Sequence, residues 1–144
     1  MNTAIRCGIV FLLLFGSFST QVSTTFDPFA LFAPNIINCT TKECLKEYAI
    51  YEAKLYSIDE KKFLATIQGE SGWKITATGD GGKSMGIVQY QLPTFLSHSI
   101  ECGFNYDGGD WMNPFAQIQT MACAFSNGRA MAWTAYRNLT RYVH

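Results

Sequence analysis

Gly79-Asp80-Gly81-Gly82-Lys83-Ser84-Met85-Gly86 sets a Gly-Lys-Ser triplet behind a run of glycines. If that triplet closed a phosphate-cradling loop, the chain would be an α/β nucleotide binder. Such a loop also needs a glycine five residues before the triplet, so that backbone N–H groups curl around phosphate, and a buried strand leading into it. Ala77 occupies the glycine position, and Phe63 to Gly69 carries helical rather than strand spacing. The glycines therefore belong to a turn, and the fold has to be read from the segments on either side.

Upstream, two helices are legible. Thr40 and Glu43 have the spacing of a capping box, and Leu45, Tyr48, Ala49, Glu52 and Leu55 continue with helical spacing to about Tyr56. Ser57 and Glu60 repeat the capping pattern and open a helix whose buried stripe is Phe63, Leu64 and Ile67. Glu70 lies seven positions past Phe63 and three past Ile67, so at about 100° per residue it projects from the same face. Gly69 and Gly72 bracket it, and the helix stops there.

Downstream, Trp73 to Ser84 has no long periodicity and reads as loop or a small irregular β-region. Gly86 to Tyr90 is short and apolar. Pro93 suits the N1 position of a helix running through Phe95 to Ile100. Asn113 and Pro114 suit the cap and N1 of another, carrying Phe115, Ile118, Met121, Ala122 and Phe125 and closed by Asn127-Gly128. Met131 to Tyr142 reads as a last helix with Trp133, Tyr136 and Arg137 on it. Five helices with little sheet give the fold class: α+β, mainly α-helical.

Asn105-Tyr106-Asp107-Gly108-Gly109-Asp110 alternates acidic and amide oxygens as a calcium loop does. Counted from Asn105, position six is Asp110 where glycine belongs, and position twelve is Ala116 where a bidentate glutamate belongs. A solvated turn is the better account.

The chemistry centres on Glu70. A carboxylate on the apolar side of a helix end is disfavoured as an anion twice: burial raises the cost of its charge, and the negative end of the helix dipole repels it. A glutamate that keeps its proton near neutral pH can give it to a glycosidic oxygen and take one back later. The bland alternative is a glutamate that reaches solvent or pairs with Lys61 or Lys74.

The string around Glu70 favours the chemical reading. Glu70-Ser71-Gly72-Trp73, Ala77, the glycine-rich turn to Ser84, Gly86-Ile87-Val88-Gln89 and Pro93-Thr94 together resemble the soluble lytic transglycosylase and goose-type lysozyme-like family. Order and approximate spacing both agree, and a looser match reaches Tyr136. Two departures stand: Val88 where the family usually has methionine, and a slightly long interval from glutamate to glutamine. The resemblance implies a lysozyme-like domain in which Glu70 is the sole acid/base. It implies that Ser71 and Gln89 position it or the sugar N-acetyl group, and that Tyr136 faces it. Asp80, Lys83 and Ser84 can hydrogen-bond sugar hydroxyls or lock the turn, while Tyr90, Trp111 and Trp133 offer faces for sugar rings.

The implied activity is cleavage of the β-1,4 bond between N-acetylmuramic acid and N-acetylglucosamine in peptidoglycan glycan strands. Two outcomes stay open: a lytic transglycosylase (a carbohydrate lyase), or a lysozyme-type hydrolase in which Asp80 or Asp110 activates water. A non-catalytic wall-binding or inhibitor module is the alternative from another class.

Composition agrees. The sequence has 144 residues, 48% hydrophobic, with 11 basic and 11 acidic side chains, enough for one core and without the broad field that attracts nucleic acid. Arg6, the apolar run Ile9 to Phe15 and the small residues Gly16, Ser17, Ser19 and Thr20 read as a secretory signal over residues 1–19. The run from Cys7 to Phe18 is shorter than the roughly 20 residues a spanning helix needs, so no stable membrane insertion is expected after its removal. Residues 20–38, broken by Pro28 and Pro34, read as an arm, and 39–144 as the catalytic domain.

Of the 5 cysteines, Cys7 leaves with the signal, and Cys39, Cys44, Cys102 and Cys123 form two disulfides in an oxidising compartment. Cys39 with Cys44 and Cys102 with Cys123 is the pairing expected among the three open. No metal site is expected, since no CxxC occurs and His98 and His144 lack ligand spacing, and no cofactor is expected either. The reading is thus of a secreted or periplasmic monomer, acting alone or within a wall-spanning apparatus.

Overall fold

The computed structural model describes residues 40–141, so the expected signal and arm, Cys39 and Tyr142 lie outside the described residues. Among the described residues the chain forms five α-helices and a three-stranded antiparallel sheet, which is the mainly helical α+β architecture expected. Helices α1 (Lys42–Leu55) and α2 (Glu60–Ser71) precede the sheet, made of β1 (Thr78–Gly79), β2 (Ser84–Met85) and β3 (Tyr90–Gln91). Helices α3 (Leu92–Glu101), α4 (Pro114–Ser126) and α5 (Thr134–Thr140) follow. The sheet is in the order β1-β2-β3, with Gly79 opposite Ser84 and Met85 opposite Tyr90.

The helix starts differ from expectation in detail. Thr41, not Thr40, caps α1 by accepting from Cys44 N–H, and Asp59, not Ser57, caps α2 by accepting from Lys62 N–H at 3.0 Å. A carboxylate facing the positive helix end is the stronger cap. Pro93 sits one residue inside α3. Asn113 caps α4 as expected, its side chain accepting from Phe115 and Ala116 N–H.

The last helix is shorter than read. Ala130–Ala132 form one 3-10 turn, and α5 begins only at Thr134. Trp133 interrupts them with extended backbone, ψ 132°. Its indole is buried and donates Nε1–H to Val88 O at 3.0 Å, and a continuous helix would not place it there.

One core joins all the helices. Leu45 and Ala49 of α1, Phe63 and Ile67 of α2, Phe95 of α3 and Ile118, Met121 and Ala122 of α4 are fully buried. Burying each large apolar side chain contributes about 1.5–3 kcal/mol. Phe63 meets Phe125 edge to face, with centroids 5.2 Å apart. The disulfide Cys102–Cys123 ties the end of α3 to α4 across a sequence separation of 21, a loop closure worth about 3 kcal/mol in the chain-entropy account. Cys44 is also disulfide-bonded, and its expected partner Cys39 lies outside the described residues.

One core position runs against the hydrophobic pattern. Glu52 on α1 is fully buried, and neither carboxyl oxygen makes a hydrogen bond of normal geometry among the described residues. Burial pushes its pKa up, and the nearby Tyr48 hydroxyl offsets only part of that. The folded state therefore holds this proton more tightly than the unfolded chain does. The contribution of Glu52 to stability is fully present below the ordinary glutamate range and is lost as pH rises from there through the raised value. Glu52→Gln is expected to flatten that slope and to raise stability at neutral pH. Urea unfolding from pH 4 to pH 8 checks it, and an unchanged slope would count against this assignment.

Candidate active site

Glu70 is the penultimate residue of α2, and its position is set from three sides. The helix ends on Gly72, whose N–H bonds back to Gln68 O. Ser71 donates its hydroxyl to Ile87 O and accepts from Trp73 N–H at 3.0 Å, which joins the helix end to the segment before β3. Across from it, Ala135 N–H in the first turn of α5 donates to Glu70 Oε1 at 2.8 Å.

The close approach of α2 and α5 depends on Gly69. A Cβ built there would lie 2.7 Å from Ala135 Cβ, closer than two carbons can pack, and neither atom has a rotamer to escape by. Gly69→Ala is expected to push α5 outward, lengthen the Glu70–Ala135 bond and destabilise the fold by more than the ~0.5 kcal/mol usual for a surface change, with a loss of activity beside it. Ala135→Gly in the same chain should restore it. Activity and melting temperature of the single and double variants measure this, and independent, additive effects would refute the contact.

Glu70 lines a groove of about 480 Å³, within the usual range for a small-ligand site. Asp80, Ser84, Gln89, Gln91, Thr94 and Thr134 line the same groove. The buried Ser84 hydroxyl donates to Asp80 Oδ2 at 2.5 Å. Gln89 holds a left-handed backbone, φ 56°, and its Nε2 donates to Ala77 O at 3.1 Å and Gly86 O at 2.8 Å. A Cβ on Gly79 would come within 2.4 Å of Gln89 Oε1. The first glycine of the opening stretch thus makes room for the glutamine side chain.

The charge pattern of the groove disfavours one class of ligand. Glu70 and Asp80 are carboxylates, and no lysine or arginine is among the described lining residues. Lys83 of the Gly-Lys-Ser triplet is exposed and outside the groove. Phosphate would meet two acidic side chains and no cation among the described lining residues. A neutral, hydroxyl-rich ligand matches the amides and hydroxyls instead. Comparison of the chain with protein-family models, curated proteins and solved structures finds no match.

Several expected site residues lie elsewhere. The apolar enclosure expected around Glu70 is absent: its side chain is half-buried in the wall of a polar groove. Ser71 lies behind the groove, its hydroxyl committed to backbone, so it positions Glu70 and does not line the groove. Tyr136 is not among the lining residues; its ring meets Phe125 edge to face at 5.2 Å. Tyr90 and Trp133 do line the groove but are only 2% and 5% exposed. Tyr90 hydrogen-bonds His98 Nδ1 at 3.0 Å, and the two rings form the packed floor. Trp111 spends its Nε1–H on Tyr90 O. Asp110 accepts from Asp107 N–H in the solvated turn, outside the groove, and so loses its expected role in activating water.

Sequence reasoning missed the Ala135 amide, Gln91, Thr134 and Gln117. Gln117 on α4 is fully buried. It accepts from Val88 N–H at 3.2 Å and donates to Met85 O at 3.1 Å and to Trp111 O, which pins the sheet to the helices. No short motif marks such a residue, because its partners are backbone groups distant in sequence.

Proposed function

We propose that the chain is a peptidoglycan-cleaving enzyme of the exported compartment, cutting the β-1,4 bond between N-acetylmuramic acid and N-acetylglucosamine by a lytic-transglycosylase route. The observation that carries this reading is Glu70 itself: one carboxyl oxygen held by Ala135 N–H, at the wall of a groove of hydroxyls and amides with no cation among its described lining. The Cys102–Cys123 disulfide suits an oxidising compartment. No described helix is long and apolar enough to cross a membrane.

The route requires Glu70 to enter as the acid and to act from Oε2, the oxygen that the Ala135 bond leaves free. Glu70 protonates the bridging oxygen as the C1–O bond breaks, and the leaving sugar departs as an alcohol. The carbonyl oxygen of the substrate's own 2-acetamido group bonds to C1 and holds the positive charge as an oxazolinium ion. Glu70, now a carboxylate, takes the proton of the C6 hydroxyl. That oxygen attacks C1, the acetamido oxygen leaves, and an anhydro ring closes with Glu70 protonated again. No water is consumed and no second carboxylate is required.

Hydrolysis is the second reading, favoured by Asp80 lining the same groove. There Asp80 would activate water and leave a reducing end. Mass spectrometry of digested peptidoglycan decides: anhydro ends support the first route, reducing ends the second. Undigested strands would overturn both and leave a binding module.

A further inference from the structure

Thr134 lines the same groove as Glu70, one residue before the amide that holds the acid. Its hydroxyl oxygen accepts from Arg137 Nη2 at 2.6 Å, and Arg137 Nη1 donates to Met131 O at 2.7 Å and Ala132 O at 3.1 Å. The sequence makes this clamp possible in two ways. Thr134 and Arg137 are three positions apart in α5, which places them on one helix face. Trp133 breaks the chain before α5, so the carbonyls of Met131 and Ala132 end a 3-10 turn instead of entering the ladder of a helix.

The direction of the Thr134 bond decides what that residue can do. A hydroxyl has one proton and two lone pairs, and a guanidinium has donors only. Arg137 therefore takes a lone pair of Oγ1 and leaves the proton for another acceptor. Its charge also polarises the O–H bond, which strengthens the donor. Among the described residues none accepts that proton, and the side chain is exposed at the groove. Ser84, in the same groove, instead gives its proton to Asp80. A glycan strand carries hydroxyl and carbonyl oxygens that can accept from Thr134. Resting on the peptidoglycan reading above, we infer that Arg137 is a positioning residue, which sets Thr134 as a fixed hydrogen-bond donor to a sugar oxygen beside the cleaved bond. Thr134 grips the sugar and Glu70 performs the chemistry, so the contact acts on substrate affinity.

The test measures kcat and KM on purified peptidoglycan strands for wild type, Thr134→Val, Thr134→Ser, Arg137→Lys and the double variant Arg137→Lys/Thr134→Val, beside a melting curve for each. Thr134→Val keeps the shape without the proton. It is expected to raise KM about threefold to tenfold with kcat nearly unchanged, the effect of one neutral hydrogen bond made equally in ground and transition states. Thr134→Ser keeps the hydroxyl and should stay within about twofold of wild type. A lysine offers a point charge where arginine offers a fork, so Arg137→Lys cannot hold both carbonyls and the hydroxyl. It should raise KM about threefold in the wild-type background and add little to Thr134→Val. Arg137→Gln serves in the same cycle if the lysine variant does not fold. Equal costs in both backgrounds would make Arg137 a brace of the turn alone and overturn the inference. So would a wild-type KM in Thr134→Val, or Thr134→Ser as impaired as Thr134→Val, and each would leave the activity standing. Wild-type protein that cuts no strand would remove the activity and the inference together.

Discussion

Replacing Glu70 by glutamine is expected to reduce turnover of peptidoglycan by roughly a hundredfold to ten-thousandfold, the usual contribution of a positioned general acid and base. The fold should not notice. A glutamine oxygen can still accept the Ala135 N–H that Glu70 Oε1 accepts at 2.8 Å, and the side chain is half-buried rather than sealed in the core. The expected stability change is below about 0.5 kcal/mol. Glu70→Asp separates chemistry from position: it keeps an acid but withdraws it by one methylene, and a misplacement of that size costs about a hundredfold. Rates by reducing-end and anhydro-end assay, beside melting curves, measure both. A glutamine variant as active as wild type would end the proposed mechanism.

That experiment rests on a residue visible in the sequence, and much of the fold was visible too. Asn113-Pro114 is a cap followed by a residue whose missing N–H costs nothing, and α4 starts there. The apolar stripes of α1 and α2 became core through Leu45, Tyr48, Ala49, Phe63 and Ile67, because helical periodicity is a local signal that tertiary packing reinforces, while Leu64 stayed half-buried and Leu55, at the helix end, is 57% exposed. Boundaries failed where two residues competed for one role. Thr41 outbid Thr40, and Asp59 outbid Ser57, which instead holds a left-handed backbone at φ 53°.

The site was legible only as far as its motif ran. Glu70, Ser84 and Gln89 lie in the groove or its wall, whereas Tyr136 turned inward to Phe125. At the start of a short helix, one residue's difference in register decides whether a ring faces core or groove, and Trp133 breaking the helix set that register. The contact that orients Glu70 comes from a backbone amide 65 positions away, and a backbone amide has no letter in a sequence.

Gln117→Leu is expected to be strongly destabilising. The two side chains are similar in volume, so the change leaves no large cavity, and its effect is that of lost hydrogen bonds. Three backbone groups lose their partner: Val88 N–H, Met85 O and Trp111 O. Val88 is fully buried and Met85 half-buried, so water does not readily replace the amide. Each orphaned group costs about 1–3 kcal/mol. Trp111 is half-buried, and its carbonyl can recover part of its loss from solvent. The two groups that solvent does not reach give about 2–6 kcal/mol between them, a large share of the ~5–15 kcal/mol that holds a domain together. Urea unfolding should show a lower midpoint with an unchanged slope. The damage should also reach the groove. Gln117 holds Met85 and Val88 on either side of Gly86, where an added Cβ would lie 2.4 Å from its amide. Gln89 follows directly, so its bonds to Ala77 and Gly86 lose their frame. In the remaining folded fraction KM should therefore rise, while Glu70, anchored on α2 and α5, keeps its chemistry. A variant within about 1 kcal/mol of wild type would mean that Gln117 fills space in this core and does not organise it.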